Sequence, residues 1–231
     1  MALPVFDTPV SSIALPSNGA LVKFRPFLVK EQKQLLMAAQ EGTDQQNDAI
    51  EGIINACTFG KVDASKLPSF DVEYLFMNIR AASVGEKVEL VLTCPCGVKE
   101  DTSLDVTKVK VEKQDGHKNI VDLDNSISLT MRYPRLREID ELMEAKDVDG
   151  IIKLIARSIE TVWQGEEMFS AADHSVAEMI EFVESMSPQS LDKIEKFFAT
   201  MPVIRHTIEW DCKECSKHNA VTLEGIQSFF V

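Results

Sequence analysis

The sequence predicts an α+β fold, and three observations carry that prediction. Strand-like alternation recurs in separated stretches, apolar residues at helical spacing fill the ground between them, and two close cysteine pairs each lie between strand-like runs. The expected architecture is an N-terminal β-hairpin, helical layers, and two cysteine-tipped β-hairpins that form a split zinc-ribbon-like unit. Four regions follow: residues 1–82 with the N-terminal hairpin and helices, 83–134 with the first cysteine hairpin and a further strand, 135–200 helical, and 201–231 with the second cysteine hairpin and an apolar C-terminus. Regions 83–134 and 201–231 are expected to pair within one compact domain.

Ser11 to Phe27 alternates around Pro16-Ser17-Asn18-Gly19, and Asn-Gly is a strong hairpin signal because both residues tolerate positive φ. From Leu28 the period changes, with Leu28, Leu35, Leu36 and Ala39 on one helical face. Thr43 and Gln46 read as a capping box ahead of Ile50, Ile53, Ile54 and Cys57. A third helix is expected from Ser69, after Pro68, with Val72, Leu75, Phe76 and Ile79 on one side. Lys87 to Thr93 reads as a strand that runs into Cys94-Pro95-Cys96-Gly97 and leaves through Glu100 to Val106. Ile127 to Tyr133 reads as a strand, with a helix beginning near Pro134.

Ile151, Leu154, Ile155, Ile159, Val162 and Trp163 predict one long helix ended by Gly165. A capping box at Ser175 and Glu178 opens the next, and Ser187-Pro188 supplies an N-cap with proline at the first helical position. Val203 to Trp210 and Ala220 to Leu223 read as strands on either side of Cys212-Lys213-Glu214-Cys215. Phe229 and Phe230, near the end, suit either a docking anchor or packing onto the core.

The 231 residues hold 24 Lys+Arg against 37 Asp+Glu, a formal charge of −13. A protein that binds nucleic acid by releasing counterions needs a basic face, so that function is disfavoured. At 45% hydrophobic and 26% charged the chain can bury a core. No apolar run approaches the roughly 18 residues of a membrane span, and no basic residue precedes an apolar stretch at the N-terminus, so a soluble, unexported protein is expected.

In an unexported chain, paired cysteines point toward metal before disulfide. Cys94, Cys96, Cys212 and Cys215 are the expected ligands of a structural zinc ion, since each hairpin tip supplies two thiolates of a tetrahedral set. The first pair has Pro95 alone between its cysteines, tighter than the usual knuckle, which leaves free thiols or a metal-free ribbon as alternatives. His218, three residues past Cys215, is a further ligand candidate. Thioredoxin-type chemistry at Cys212 and Cys215 is disfavoured, because Cys212 follows a strand and Asp211 and Glu214 oppose a thiolate.

The remaining candidates for chemistry have plain explanations. His117, His174, His206 and His218 share no ligand spacing, and the glycines form no phosphate loop. Glu138, Asp140, Glu141 and Glu144 read as a solvated helix face, Arg132, Arg135 and Arg137 as surface, and Cys57 as a small core residue.

Several motifs together resemble the baseplate hub subunit and hub assembly proteins of T4-like contractile-tailed bacteriophages. They are LPSNG (Leu15 to Gly19), MRYPRLREID (Met131 to Asp140), KIEKFFATMPVIRHTIEWDCKEC (Lys193 to Cys215) and LEGIQSFF (Leu223 to Phe230). The resemblance implies a late, non-enzymatic component of the tail baseplate hub that works through contacts with other hub proteins. It implies no small-molecule substrate, and it places the protein in the host cytoplasm during assembly or in the virion tail. Two other functions compete: a zinc-ribbon regulator associated with nucleic acid, and a dithiol oxidoreductase.

Overall fold

In a computed structural model the chain is described over residues 7–123, 126–145 and 147–225. Phe229 and Phe230 lie outside these residues. The chain divides into two compact units, one built from residues 1–112 and 203–231 and the other from residues 113–202.

The first unit opens with an antiparallel hairpin, β1 (Ser11–Ala14) and β2 (Leu21–Phe24). Its connection is longer than a two-residue Asn-Gly turn. Only Gly19 takes positive φ, at +72°, while the Asn18 side chain accepts from the Ala20 amide at 2.8 Å. The loop is held down by Ser17, whose amide (3.0 Å) and hydroxyl both donate to the carboxylate of the fully buried Asp71.

Three helices follow: α1 (Val29–Ala38), α2 (Thr43–Cys57) and α3 (Ser69–Val84). The expected capping box at Thr43 does not form. Gly42 is the N-cap and makes no side-chain cap, because the helix already includes Thr43. Glu31 does cap α1, accepting from the Leu28 amide at 2.7 Å and from Arg25 at 3.0 Å. Ile53 and Ile54 on α2 and Leu75, Phe76 and Ile79 on α3 are buried at the expected spacing. Cys57 is buried as well, and desolvation pushes its thiol up to about 11, so it stays neutral.

The chain then forms β3 (Lys87–Thr93), β4 (Lys99–Asp105) and the short β5 (Lys110–Glu112). β3 alternates without exception, burying Val88, Leu90 and Leu92 and exposing the residues between them.

The second unit comprises β6 (Ile120–Asp122), β7 (Ile127–Met131), α4 (Leu136–Ala145), α5 (Val148–Ser158), β8 (Ile159–Gln164), β9 (Glu167–Ser170), α6 (Val176–Glu184) and α7 (Pro188–Thr200). The strands form one antiparallel sheet in the order β6-β7-β8-β9. Its core gathers Leu129, Met131, Ile155, Ile159, Ile194 and Phe197. The long helix expected through Trp163 stops at Ser158. Residues 159–164 pair with β7 instead, placing Leu129 opposite Val162 and Met131 opposite Ile159. Ile159, Val162 and Trp163 lie at helical spacing, but β-branched and aromatic residues favour the strand once β7 offers backbone partners, and a register shift at Thr130–Met131 lets Ile159 and Val162 both reach the core.

Ser175 and Glu178 form the expected capping box, and Ser187 caps α7 ahead of Pro188. On α4 Glu138 is less solvated than the sequence suggests, while Glu141 is exposed as expected and the side chain of Glu144 lies outside the described residues. Glu138 receives both arms of Arg132, at 2.9 and 2.7 Å, and the Arg135 amide at 2.9 Å.

His117 lies between Thr200 (Nδ1 to Oγ1, 2.9 Å) and Tyr133 (Nε2 to the hydroxyl, 3.1 Å), stacked on the Tyr133 ring. Burial, with the nearby Lys113, lowers its pKa from the ordinary 6.5. The folded state therefore binds fewer protons here than the unfolded state. The associated stability is present in full above about pH 6.5 and is lost as pH falls from there through the folded value. A proton-detected titration is expected to place the His117 midpoint below 6.5, and a midpoint at or above it would refute the burial argument.

The last two strands, β10 (Val203–Asp211) and β11 (His218–Glu224), return to the first unit. They make an antiparallel sheet in the order β11-β10-β5. Met77 of α3, Val88 and Leu90 of β3, Leu104 of β4 and Ile204 of β10 share one core cluster. That cluster brings the two cysteine hairpins of this unit side by side.

Candidate metal centre

Both cysteine pairs lie at hairpin tips, and the two turns differ by one residue. In the first, the Gly97 amide donates to the Cys94 carbonyl at 2.8 Å, closing a β-turn, and Gly97 takes φ +92°. In the second, the Ser216 amide donates to the Cys212 carbonyl at 2.9 Å, closing a turn one residue longer, and Ser216 takes φ +54°. The single residue between Cys94 and Cys96 is thus accommodated by a tighter turn. Each turn places a left-handed residue directly after its second cysteine, which aims both sulfurs to the same side.

All four Sγ atoms lie within 4.8 Å of one another. Across the hairpins, Cys94 and Cys215 are 3.7 Å apart, as are Cys96 and Cys212. These are not disulfides, which require about 2.05 Å. A tetrahedron of metal–sulfur bonds about 2.3 Å long has edges of about 3.8 Å, so the spacing suits a tetrahedrally bound ion. Cys94 and Cys212 are buried, while Cys96 and Cys215 are exposed.

The electrostatics point the same way. The Cys96 amide, aimed at Cys94, lowers the Cys94 thiol to about 7. Cys96 has the Val98 amide in its favour, yet its neighbouring sulfurs and partial desolvation push it up to about 12. Four thiols this close cannot all ionise unless a cation offsets the charge. The cluster can therefore hold a metal ion, and its donor chemistry suits a thiophilic one.

Two supporting residues carry no signal in the linear sequence. Buried Asn219 points its amide nitrogen at Cys94 Sγ (3.5 Å) and donates to the Lys217 carbonyl (2.8 Å). Glu100 of the first hairpin accepts from the Lys213 amide of the second at 2.9 Å, which holds its carboxyl below the ordinary range. Both depend on which residues the two hairpins bring together, and spacing along the chain does not reveal that. His218 lies outside the sulfur group and contacts Asp211 at 2.9 Å.

Fold and site together define a mixed α+β protein in which four cysteines from two hairpins converge across more than a hundred residues. Residues 8–231 match the family model described as T4 bacteriophage base plate protein, and the chain belongs to that family. No curated protein and no solved structure matches it. Membership speaks for a structural component of a phage baseplate, with other baseplate proteins as its partners. Such a family speaks for a non-catalytic role. Among the described residues no helix is long and apolar enough to cross a membrane.

Proposed function

We propose that this chain is a component or assembly factor of the baseplate hub, acting through protein–protein contacts, with zinc held by Cys94, Cys96, Cys212 and Cys215 as an internal clasp. The observation that carries the clasp is the convergence of four sulfurs, at a spacing that suits a tetrahedral ion, from two hairpins whose cysteines lie 116 to 121 positions apart. The two hairpins then form a split zinc ribbon. Zinc there supplies four thiolate bonds and leaves no open position for catalysis. The chain's own contribution is to hold the sulfurs: Gly97 and Ser216 shape the turns, Asn219 steadies Cys94, and Glu100 joins one tip to the other.

Charge supports protein partners over nucleic acid. Around the tips, Lys99, Lys213 and Lys217 are offset by Glu100, Asp101, Asp211 and Glu214, so no basic face forms where a ribbon would meet a phosphate backbone. A dithiol enzyme is also disfavoured, since Cys212 follows a strand rather than opening a helix.

The hub role is tested by co-purification from infected cells and by deleting the gene. Retention of other hub proteins and failure of hubs to assemble are expected; normal hubs without the gene would refute the proposal. For the clasp, Asn219→Ala is expected to weaken zinc affinity about tenfold in competition with a chromophoric chelator. Unchanged affinity would remove Asn219 from the site.

A further inference from the structure

The hairpin β8–β9 closes one edge of the sheet in the second unit, and among the described residues β9 has no partner on its outer side. This hairpin carries apolar side chains on both faces. Trp163 and Met168 are opposite each other and exposed, while Val162 and Phe169, the adjacent cross-strand pair, face the other way. Phe169 and Val162 border an open groove of about 280 Å³ whose far wall is Met179 and Phe182 of α6. An edge with free main-chain groups, one apolar face and a groove beneath the other is the geometry by which an extended peptide joins a sheet.

Charge indicates what kind of peptide. From Ser158 to Asp192 the chain has no lysine or arginine, while Glu160, Glu166, Glu167, Asp173, Glu178 and Glu181 are carried on β8, β9, α6 and their connections. His174, which also borders the groove, is the sole residue of that stretch able to become cationic.

We propose that the outer edge of β9, with the groove between it and α6, takes up an extended, basic segment of a partner protein as an added strand. Alternate residues of that segment enter the groove, the residues between them lie on the face of Trp163 and Met168, and its lysines or arginines meet the acidic rim. The site uses neither the cysteine cluster nor a bound metal.

The probe is a terminally blocked ten-residue peptide of alternating valine and lysine, with a valine–glutamate peptide as control, each added to the full chain. Saturable binding of the lysine peptide is expected, weakening about tenfold between about 50 and 300 mM salt. Amide exchange is expected to slow at residues 167–170. Glu166→Lys with Glu167→Lys, both exposed, is expected to leave the circular dichroism unchanged and to cut lysine-peptide binding about tenfold. The proposal is overturned if the lysine peptide does not bind, if it binds the double variant equally well, or if exchange slows elsewhere than β9. Sedimentation that shows the free chain dimerising through this edge would equally overturn it, in favour of a second copy.

Discussion

Replacing Cys212 and Cys215 together by serine is expected to abolish tight metal retention and to loosen β10 and β11, while the helices between Gly150 and Thr200 stay formed. The linkage between Cys94 and Cys215 closes a loop of 121 residues in sequence separation. By the loop-closure relation a cross-link over that length stabilises by roughly 5 kcal/mol, before the metal–thiolate bonds are counted. The first unit depends on this directly, because β11 reaches its core chiefly through β10. Urea unfolding followed by circular dichroism, with amide exchange resolved at residues 203–224, measures the effect. A chelator applied to the native chain is expected to reproduce it. Elemental analysis of freshly purified protein decides the premise: no retained metal, together with a double variant as stable as the parent, would refute the clasp and leave family membership untouched.

Glu138→Ala is expected to destabilise the second unit by about 3 kcal/mol. The carboxylate is mostly buried, accepts two bonds from Arg132 and also caps the Arg135 amide at the start of α4. Removing it strands a partly buried guanidinium, and that stranded charge accounts for most of the loss. Arg132→Met with Glu138→Leu is expected to recover to within about 1.5 kcal/mol of the parent, because neither charge is then left alone. Denaturant titration of the two singles and the double closes the cycle; additive losses would show that the pair is not coupled. Burial by itself would raise the Glu138 pKa, but the bonds from Arg132 and the Arg135 amide outweigh it and leave the value below the ordinary 4.5. Folding therefore gains from this carboxylate above about pH 4.5, and the gain is lost as pH falls through the lower folded value.

Elements whose identity rests on local chemistry were legible in the linear chain. Ser175 with Glu178, Ser187 ahead of Pro188, and the alternation of β3 all act over four to seven residues, and the structure places them where the spacing predicts. The four clustered cysteines were legible as a group too, because two short cysteine spacings, each set between strand-like runs, stand out in the linear chain. The errors fall where spacing and residue type disagree, where partners are remote, and at Thr43, where the helix begins one residue earlier than the expected cap allows. At residues 159–164 helical spacing is set against strand-favouring residue types until β7 lies beside them. Glu138 looks like surface until Arg132 folds back onto it. Asn219 looks like an ordinary turn residue until the first hairpin brings Cys94 against it.

The sequence by itself determined the α+β class, the caps at Ser175 and Ser187, the net acidic charge, and which four cysteines carry the clustered sulfurs. Tertiary structure alone decided that those sulfurs meet at 3.7 Å across hairpins, that a tighter turn absorbs the short first spacing, and that Asn219 and Glu100 steady the site. The physical reason is range. Caps and periodicity are energies between residues a few positions apart, whereas the sulfur cluster and the open edge of β9 exist only after distant strands have chosen their partners.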